Sequence, residues 1–282
     1  MDLVGQLPKS VSHTRKSLTL ALTTDGMNEA GLTVSTQVFT QSVKYMQPSL
    51  EASDTNVCFA AFADWILGTF DSVKSLREAL LDPIKKVKIV GPQLALVDAL
   101  PPSVAGLTGL HWSIDDASEH IVLEVLDGVI KMHTNTVGVM TNQPDFTWHL
   151  RNLNNFVNLR SDWPPSNPDI QVQTDEVGLV PDTKVGHGFN LLGIPGDYSP
   201  PSRFVRLFYL REYAMLHFKP KKRNKDSIAL VTGLLNNVFI NKGTAPDPTP
   251  GEGEYTQYTV LKIPGARLFF YKDFVGTQSG KR

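Results

Sequence analysis

Hydrophobic residues recur along this chain at two distinct periods. Phe59, Phe62, Ile66 and Phe70 fall three and four residues apart, which predicts one helical face over residues 56–69. Cys58 sits in that stripe and reads as a buried core thiol. Asp71-Ser72 supply N-cap types for a second helix through Leu76, Ala79 and Leu80, and Pro83 ends it. Residues 17–24 and 31–39 read as strands joined by a tight turn over Asp25–Gly31. Residues 110–114 and 120–126 read as strands, with Asp115-Asp116 in a solvated turn between them. Asp127-Gly128 then predicts a hairpin to a return strand over 129–133, because both residue types tolerate positive φ. Further helices are expected over 145–157 (Phe146, Leu150, Leu153 and Val157 on one face), 203–218 (Phe204, Leu207, Phe208, Met215 and Phe218) and 226–237. Two strands, near 256–263 and 267–273, close the pattern. Residues 160–190 and 243–253 are rich in proline and glycine and read as surface insertions. Strands and helices in mixed runs predict a layered α+β fold, expected as a single domain over 1–282.

Charge and cysteine content narrow the function classes. With a net charge of −1, no bulk field draws the protein to nucleic acid or to an anionic membrane. No run of 18 apolar residues predicts a membrane span. The apolar stretch Ser17–Leu22 is short and broken by hydroxyls, so it reads as a strand and not a signal peptide; the compartment stays unassigned. One cysteine in the whole chain excludes an intramolecular disulfide and a cysteine-based zinc cluster. His111, His120, His133, His149 and His187 lack metal-ligand spacing, so neither metal nor cofactor is expected. The basic run Lys219–Lys225 reads as a solvated loop between helices. Gly186-His187-Gly188 lacks the strand and helix context of a phosphate loop.

Four segments carry a family resemblance. They are Asp25-Gly26-Met27-Asn28-Glu29-Ala30-Gly31-Leu32, Val139-Met140-Thr141-Asn142-Gln143-Pro144-Asp145-Phe146-Thr147-Trp148-His149, the run from Leu192 through Gly196-Asp197-Tyr198 to Arg206, and Glu254-Tyr255-Thr256-Gln257-Tyr258-Thr259-Val260. In this order they resemble the cholylglycine hydrolase family of N-terminal-nucleophile hydrolases, which includes penicillin V acylases and conjugated bile salt hydrolases. The resemblance implies an αββα four-layer sandwich, two stacked antiparallel sheets with helices on both outer faces. It also implies hydrolysis of a linear, non-peptide amide in a small N-acyl substrate. Relatives that are homotetramers add a homo-oligomer to the expectations.

The family's chemistry uses an N-terminal cysteine whose thiolate attacks the amide and whose α-amino group acts as base and then acid. No cysteine precedes Asp25. The chain is therefore expected to be a family member trimmed at both ends, incomplete at the N-terminus of the fold and inactive as it stands. The rival expectation is a non-catalytic member that binds the same ligand or serves as a structural subunit. The resemblance places two catalytic residues. Asn142 would donate its side-chain amide to the tetrahedral oxyanion; on its residues alone it reads rather as the cap of the helix starting near Asp145. Arg203 would stabilise thiolate and oxyanion charge; on its residues alone it is a surface arginine at a helix start, where the macrodipole opposes it. The two are expected to face one cavity. Arg206, one turn on, reads as structural. Counting from Gly31-Leu32 puts the substrate-shaping position at Val38, which has no side-chain donor and, with Phe39, Tyr45, Phe59 and Phe62, suits an apolar acyl group.

Overall fold

The computed structural model of the protein describes residues 22–40, 42–92, 108–160, 172–174, 178–180, 191–219, 223–246, 253–274 and 278–281. Contacts gather into two compact units, Met1–Phe146 with Gln257–Arg282, and Thr147–Thr256.

The first unit is built on a hairpin of β1 (Asp25–Met27) and β2 (Thr33–Val38). Asp25–Met27 is strand and not turn; the reversal starts at Asn28, whose Oδ1 accepts the N–H groups of Ala30 and Leu32 at 3.1 and 3.0 Å. Its Nδ2 donates to the Leu67 and Phe70 carbonyls at 3.1 and 2.7 Å, so one side chain both closes the turn and pins it to a helix end. Gly31 is required here: its φ is +93°, and a Cβ would lie 2.8 Å from the Pro264 carbonyl oxygen.

The helix expected over 56–69 is divided. Residues Thr55–Cys58 form β3, Phe59–Ala61 a 3-10 turn, and only Phe62–Thr69 the helix α1. β3 pairs in parallel with β4 (Val87–Val90), a strand that no local pattern announced. Pairing with a segment this distant overrides the helical period. Strand alternation turns Val57 inward and leaves Cys58 exposed, so the expectation of a buried thiol is corrected. Helix α2 (Val73–Leu81) starts where expected, with Ser72 accepting the Ser75 N–H. Asp116 also holds that end by accepting the Val73 N–H at 2.8 Å, and it takes the Ser118 and Glu119 N–H groups as well. Asp116 is thus buried and not solvated. Burial opposes its ionisation, yet those donors together hold its carboxyl below the usual value.

β5 (Leu110–Asp115), β6 (His120–Leu126) and β7 (Val129–Thr134) complete a five-stranded antiparallel sheet in the order β1-β2-β5-β6-β7. The Asp127-Gly128 turn forms as expected, with φ of 50° and 73°. One face of the sheet is apolar. Val34, Trp112, Ile114, Ile121, Leu123 and Val125 pack with Phe62, Ala63 and Ile66 of α1 and with Val73 and Leu76 of α2. Each fully buried Phe or Ile side chain there contributes about 2 kcal/mol. Strand register puts Asp25, Ser35, Gln37, His111, Ser113, Glu124 and His133 on the other face. A second antiparallel sheet lies against that polar face: β10 (Tyr258–Ile263), β11 (Leu268–Asp273) and β12 (Gln278–Lys281), the last beyond the two strands expected. Tyr258 and Lys262 share one face of β10. Tyr258 donates to Thr24 at 2.6 Å, and Lys262 reaches Asp25, Ser35 and the Val34 carbonyl.

The second unit takes up the chain within α3 (Phe146–Asn152), which passes into a 3-10 turn over Leu153–Phe156. Val157 is 73% exposed and lies outside the apolar face assigned to it. Within the expected loop 160–190, β8 (Val172–Thr174) and β9 (Gly178–Val180) form a short hairpin. Helix α4 (Pro200–His217) has proline in its first turn, and α5 (Arg223–Asn236) follows. The apolar stripe expected for α4 is buried at Phe204 and half-buried at Leu207 and Phe208, but Met215 and Phe218 are exposed. Inside this unit His149 is buried and stacks on Phe204, with ring centroids 4.6 Å apart. The strand expected over 17–24 lies mostly outside the described residues. Gly186-His187-Gly188 and the centre of the basic run 219–225 lie wholly outside them.

Candidate active site

Asn142 stands in the segment between β7 and α3. Asn135 braces that segment: it is buried, accepts the Gly138 N–H at 2.8 Å, and its own N–H meets the His120 carbonyl at 2.8 Å. The Asn142 amide nitrogen donates to the Val38 carbonyl at 2.9 Å. The structure therefore joins two of the three residues singled out from the sequence, although they lie 104 positions apart. Val38 closes β2 opposite Leu110, its side chain half-buried. The contact sets the plane of the Asn142 amide, which is what a preorganised donor needs. The N–H of Phe146, the first residue of α3, goes to the Glu124 carboxylate at 2.9 Å.

Glu124 is a residue that pattern reading passed over. It is fully buried on β6. Its Oε1 accepts the Phe146 N–H and lies 3.2 Å from Nδ1 of His111, itself buried. His111 in turn stacks flat on Phe39, with centroids 4.3 Å apart and planes 5° apart. His133 Nε2 is 3.8 Å from Glu124 Oε2, beyond hydrogen-bond range. A single glutamate in the strand Ile-Val-Leu-Glu-Val-Leu, buried on both faces, was the available signal.

Arg203 lies in the first turns of α4, in the second unit. It is half-buried, and its Nε donates to the Tyr198 carbonyl at 2.9 Å. Burial pushes its pKa down, and Glu254 opposes that shift. Arg203 is thus a held side chain and not a free surface arginine. Arg206 is more enclosed, and its guanidinium donates to the carbonyls of Pro195, Asp197 and Asn237. Just before α4, Asp197 accepts from the Ser199 N–H at 2.8 Å and the Ser202 hydroxyl at 2.5 Å. The donors of Ser199 and Ser202 hold its carboxyl down at about 2. Among the described residues no group of three or more His, Cys, Asp or Glu could hold a metal ion. No helix among them is long and apolar enough to cross a membrane. An open cleft of about 510 Å³ is lined by Asn28, Glu29, Leu67, Phe70, Asp71 and Ser75 among others, and by neither Val38 nor Asn142.

Two sheets meeting over a polar layer, with helices on the outer apolar face, define an α+β fold of the N-terminal-nucleophile hydrolase type. The solved structures agree. The crystal structure of a variant of conjugated bile acid hydrolase from Clostridium perfringens aligns with a TM-score of 0.72 and 31% identity, over 92% of this chain and 72% of that one. The family model for linear amide C–N hydrolases of the choloylglycine hydrolase family matches residues 13–278, and the chain belongs to that family. In sequence it is 34% identical over 257 residues to a bile salt hydrolase/transferase of Clostridium perfringens, covering 90% of this chain and 70% of that protein. It is 29% identical over 280 residues to a penicillin V acylase of Pectobacterium atrosepticum, covering 94% of this chain and 62% of that one.

Proposed function

We propose that this domain, in a form that begins at a cysteine, hydrolyses the amide of a small N-acyl compound with an apolar acyl group, in the manner of the penicillin V acylases and bile salt hydrolases it is similar to. The observation that carries this reading is the Asn142–Val38 hydrogen bond. In the proposed reaction a cysteine thiolate adds to the amide carbonyl, and the Asn142 amide stabilises the resulting oxyanion. The C–N bond then breaks as the α-amino group protonates the leaving amine, and water releases the acyl group. Arg203 supplies positive charge to the reaction. Val38 offers the substrate an apolar side chain and no donor, which favours an apolar acyl group.

Cys58, the one cysteine of the chain, is internal and exposed at the end of β3. It has no α-amine, so it does not unite nucleophile and base. A second reading is a non-catalytic member of the fold that binds the ligand or acts as a structural subunit. The experiment compares two soluble proteins on penicillin V and glycine-conjugated bile acid. One is residues 1–282 as they stand; the other is extended upstream to begin at a cysteine. Background hydrolysis by residues 1–282 and turnover by the extended protein is the expected result. Equal, cysteine-independent turnover by both would overturn the assignment of the nucleophile. Inactivity of both would favour the non-catalytic reading.

A further inference from the structure

Glu124 has a local geometry that stability alone explains poorly. A buried carboxylate is weak evidence for stability, because removing a charge from water costs several kcal/mol that its contacts only partly return. Glu124 is fully buried, and among the described residues its Oε2 has no hydrogen-bond partner. Among the same described residues, Nε2 of His111 and Nε2 of His133 are likewise buried without one. What Glu124 does hold is specific. Through Oε1 it grips the N–H of Phe146, four residues after Asn142. Through the same oxygen it meets His111, whose ring lies flat on Phe39, the residue after Val38. Phe39 is fully buried, and its own N–H is tied to the Gly109 carbonyl at 2.7 Å. The Glu124–His111 pair therefore clamps both backbone segments that the Asn142–Val38 hydrogen bond connects.

We propose that Glu124, acting with His111, is the positioning residue that sets the Asn142 side-chain amide on the Val38 carbonyl. Its relevance to the reaction rests on the reading of Asn142 as the oxyanion donor; the positioning itself does not. Removing the acceptor frees the start of α3 and the amide turns; keeping an acceptor of the same shape preserves it. His111 transmits the constraint to the Phe39 side.

The test uses residues 1–282 and reads the side-chain amide resonances of Asn142 by NMR, assigned by their loss in Asn142→Asp, with hydrogen exchange of the Phe146 N–H. In folded Glu124→Met, the Asn142 amide protons are expected to move toward the shifts of a solvated asparagine. Exchange at Phe146 is expected to rise about tenfold or more, as for a lost charged hydrogen bond. Glu124→Gln is expected to restore both signals to near wild type. His111→Phe keeps the stack on Phe39 and removes the Nδ1 contact; it is expected to shift the Asn142 signals in the same direction, and it decides the matter if Glu124→Met does not fold. Unchanged Asn142 resonances in whichever of these two variants is folded would overturn the proposal. A purely structural role for Glu124 predicts that result, with lower stability only. If the Asn142 signals shift as expected while Asn142→Ala leaves turnover of the cysteine-extended protein unchanged, the oxyanion reading fails and the positioning stands.

Discussion

At one end of the five-stranded sheet, Lys262 gives its three ammonium donors to Asp25 at 2.7 Å, Ser35 at 2.6 Å and the Val34 carbonyl at 2.8 Å. Toward the other end of the same polar face, Glu124 uses one oxygen for Phe146 and His111, and among the described residues the other has no hydrogen bond. Both clusters enclose ionisable side chains, but they satisfy them to different degrees. The lysine cluster is saturated, it joins the two sheets, and both of its charged side chains keep some solvent at 12% and 20% exposure. It is built to hold the sheets together. The glutamate cluster is half satisfied in a fully buried place, a poor way to gain stability and a good way to fix the direction of one backbone N–H.

The largest stability effect is therefore expected at the lysine. Lys262→Met should cost about 2–3 kcal/mol, somewhat below the loss for a fully buried pair, because Asp25 keeps Ser35 and some water; urea unfolding measures it. Glu124→Gln keeps the acceptor for Phe146 and should cost less than about 1 kcal/mol in the same assay. Equal losses in the two variants would break the distinction between a lock and a clamp. His133→Phe should change stability by no more than about 0.5 kcal/mol, since its contact to Glu124 is too long for a hydrogen bond. A larger loss would make His133 a third member of the clamp.

A surface carboxylate gives the smallest effect and serves as a reference. The folded-state pKa of Asp197 is lowered from 3.8 to about 2. A lowered folded pKa adds stability that is present above the ordinary value and lost as pH falls toward the folded one. Wild type should thus lose a small increment between about pH 4 and pH 2 that Asp197→Asn lacks, in thermal unfolding across that range. Because Asp197 is exposed, solvent screening keeps the increment small.

Local chemistry made much of the first sheet readable. Asp127-Gly128 encodes its own positive-φ turn, and Asp71-Ser72 encodes a helix start, so both appear where the residues put them. The β3–β4 pair was hidden because parallel pairing depends on a distant partner, while Phe59, Phe62 and Ile66 imitate a longer helix. The same swap of strand for helix mistook Cys58 for a core residue. Asn142, Arg203 and Val38 were reached through family resemblance, and the structure joins Asn142 to Val38 by a bond that neither residue type announces. Glu124 was missed because one glutamate among five apolar residues looks like the solvent side of a strand. Only the second sheet, whose Tyr258 and Lys262 reach Thr24, Asp25 and Ser35, shows that the polar face of this sheet is covered there.

The role of Asn142 is the claim on which the rest depends, and steady-state kinetics of the cysteine-extended protein test it most directly. Asn142→Ala is expected to lower kcat for penicillin V or a glycine-conjugated bile acid by about 10²–10³-fold, as for the loss of one oxyanion donor, with KM changed little and the fold intact by circular dichroism. An unchanged kcat in that folded variant would contradict the account.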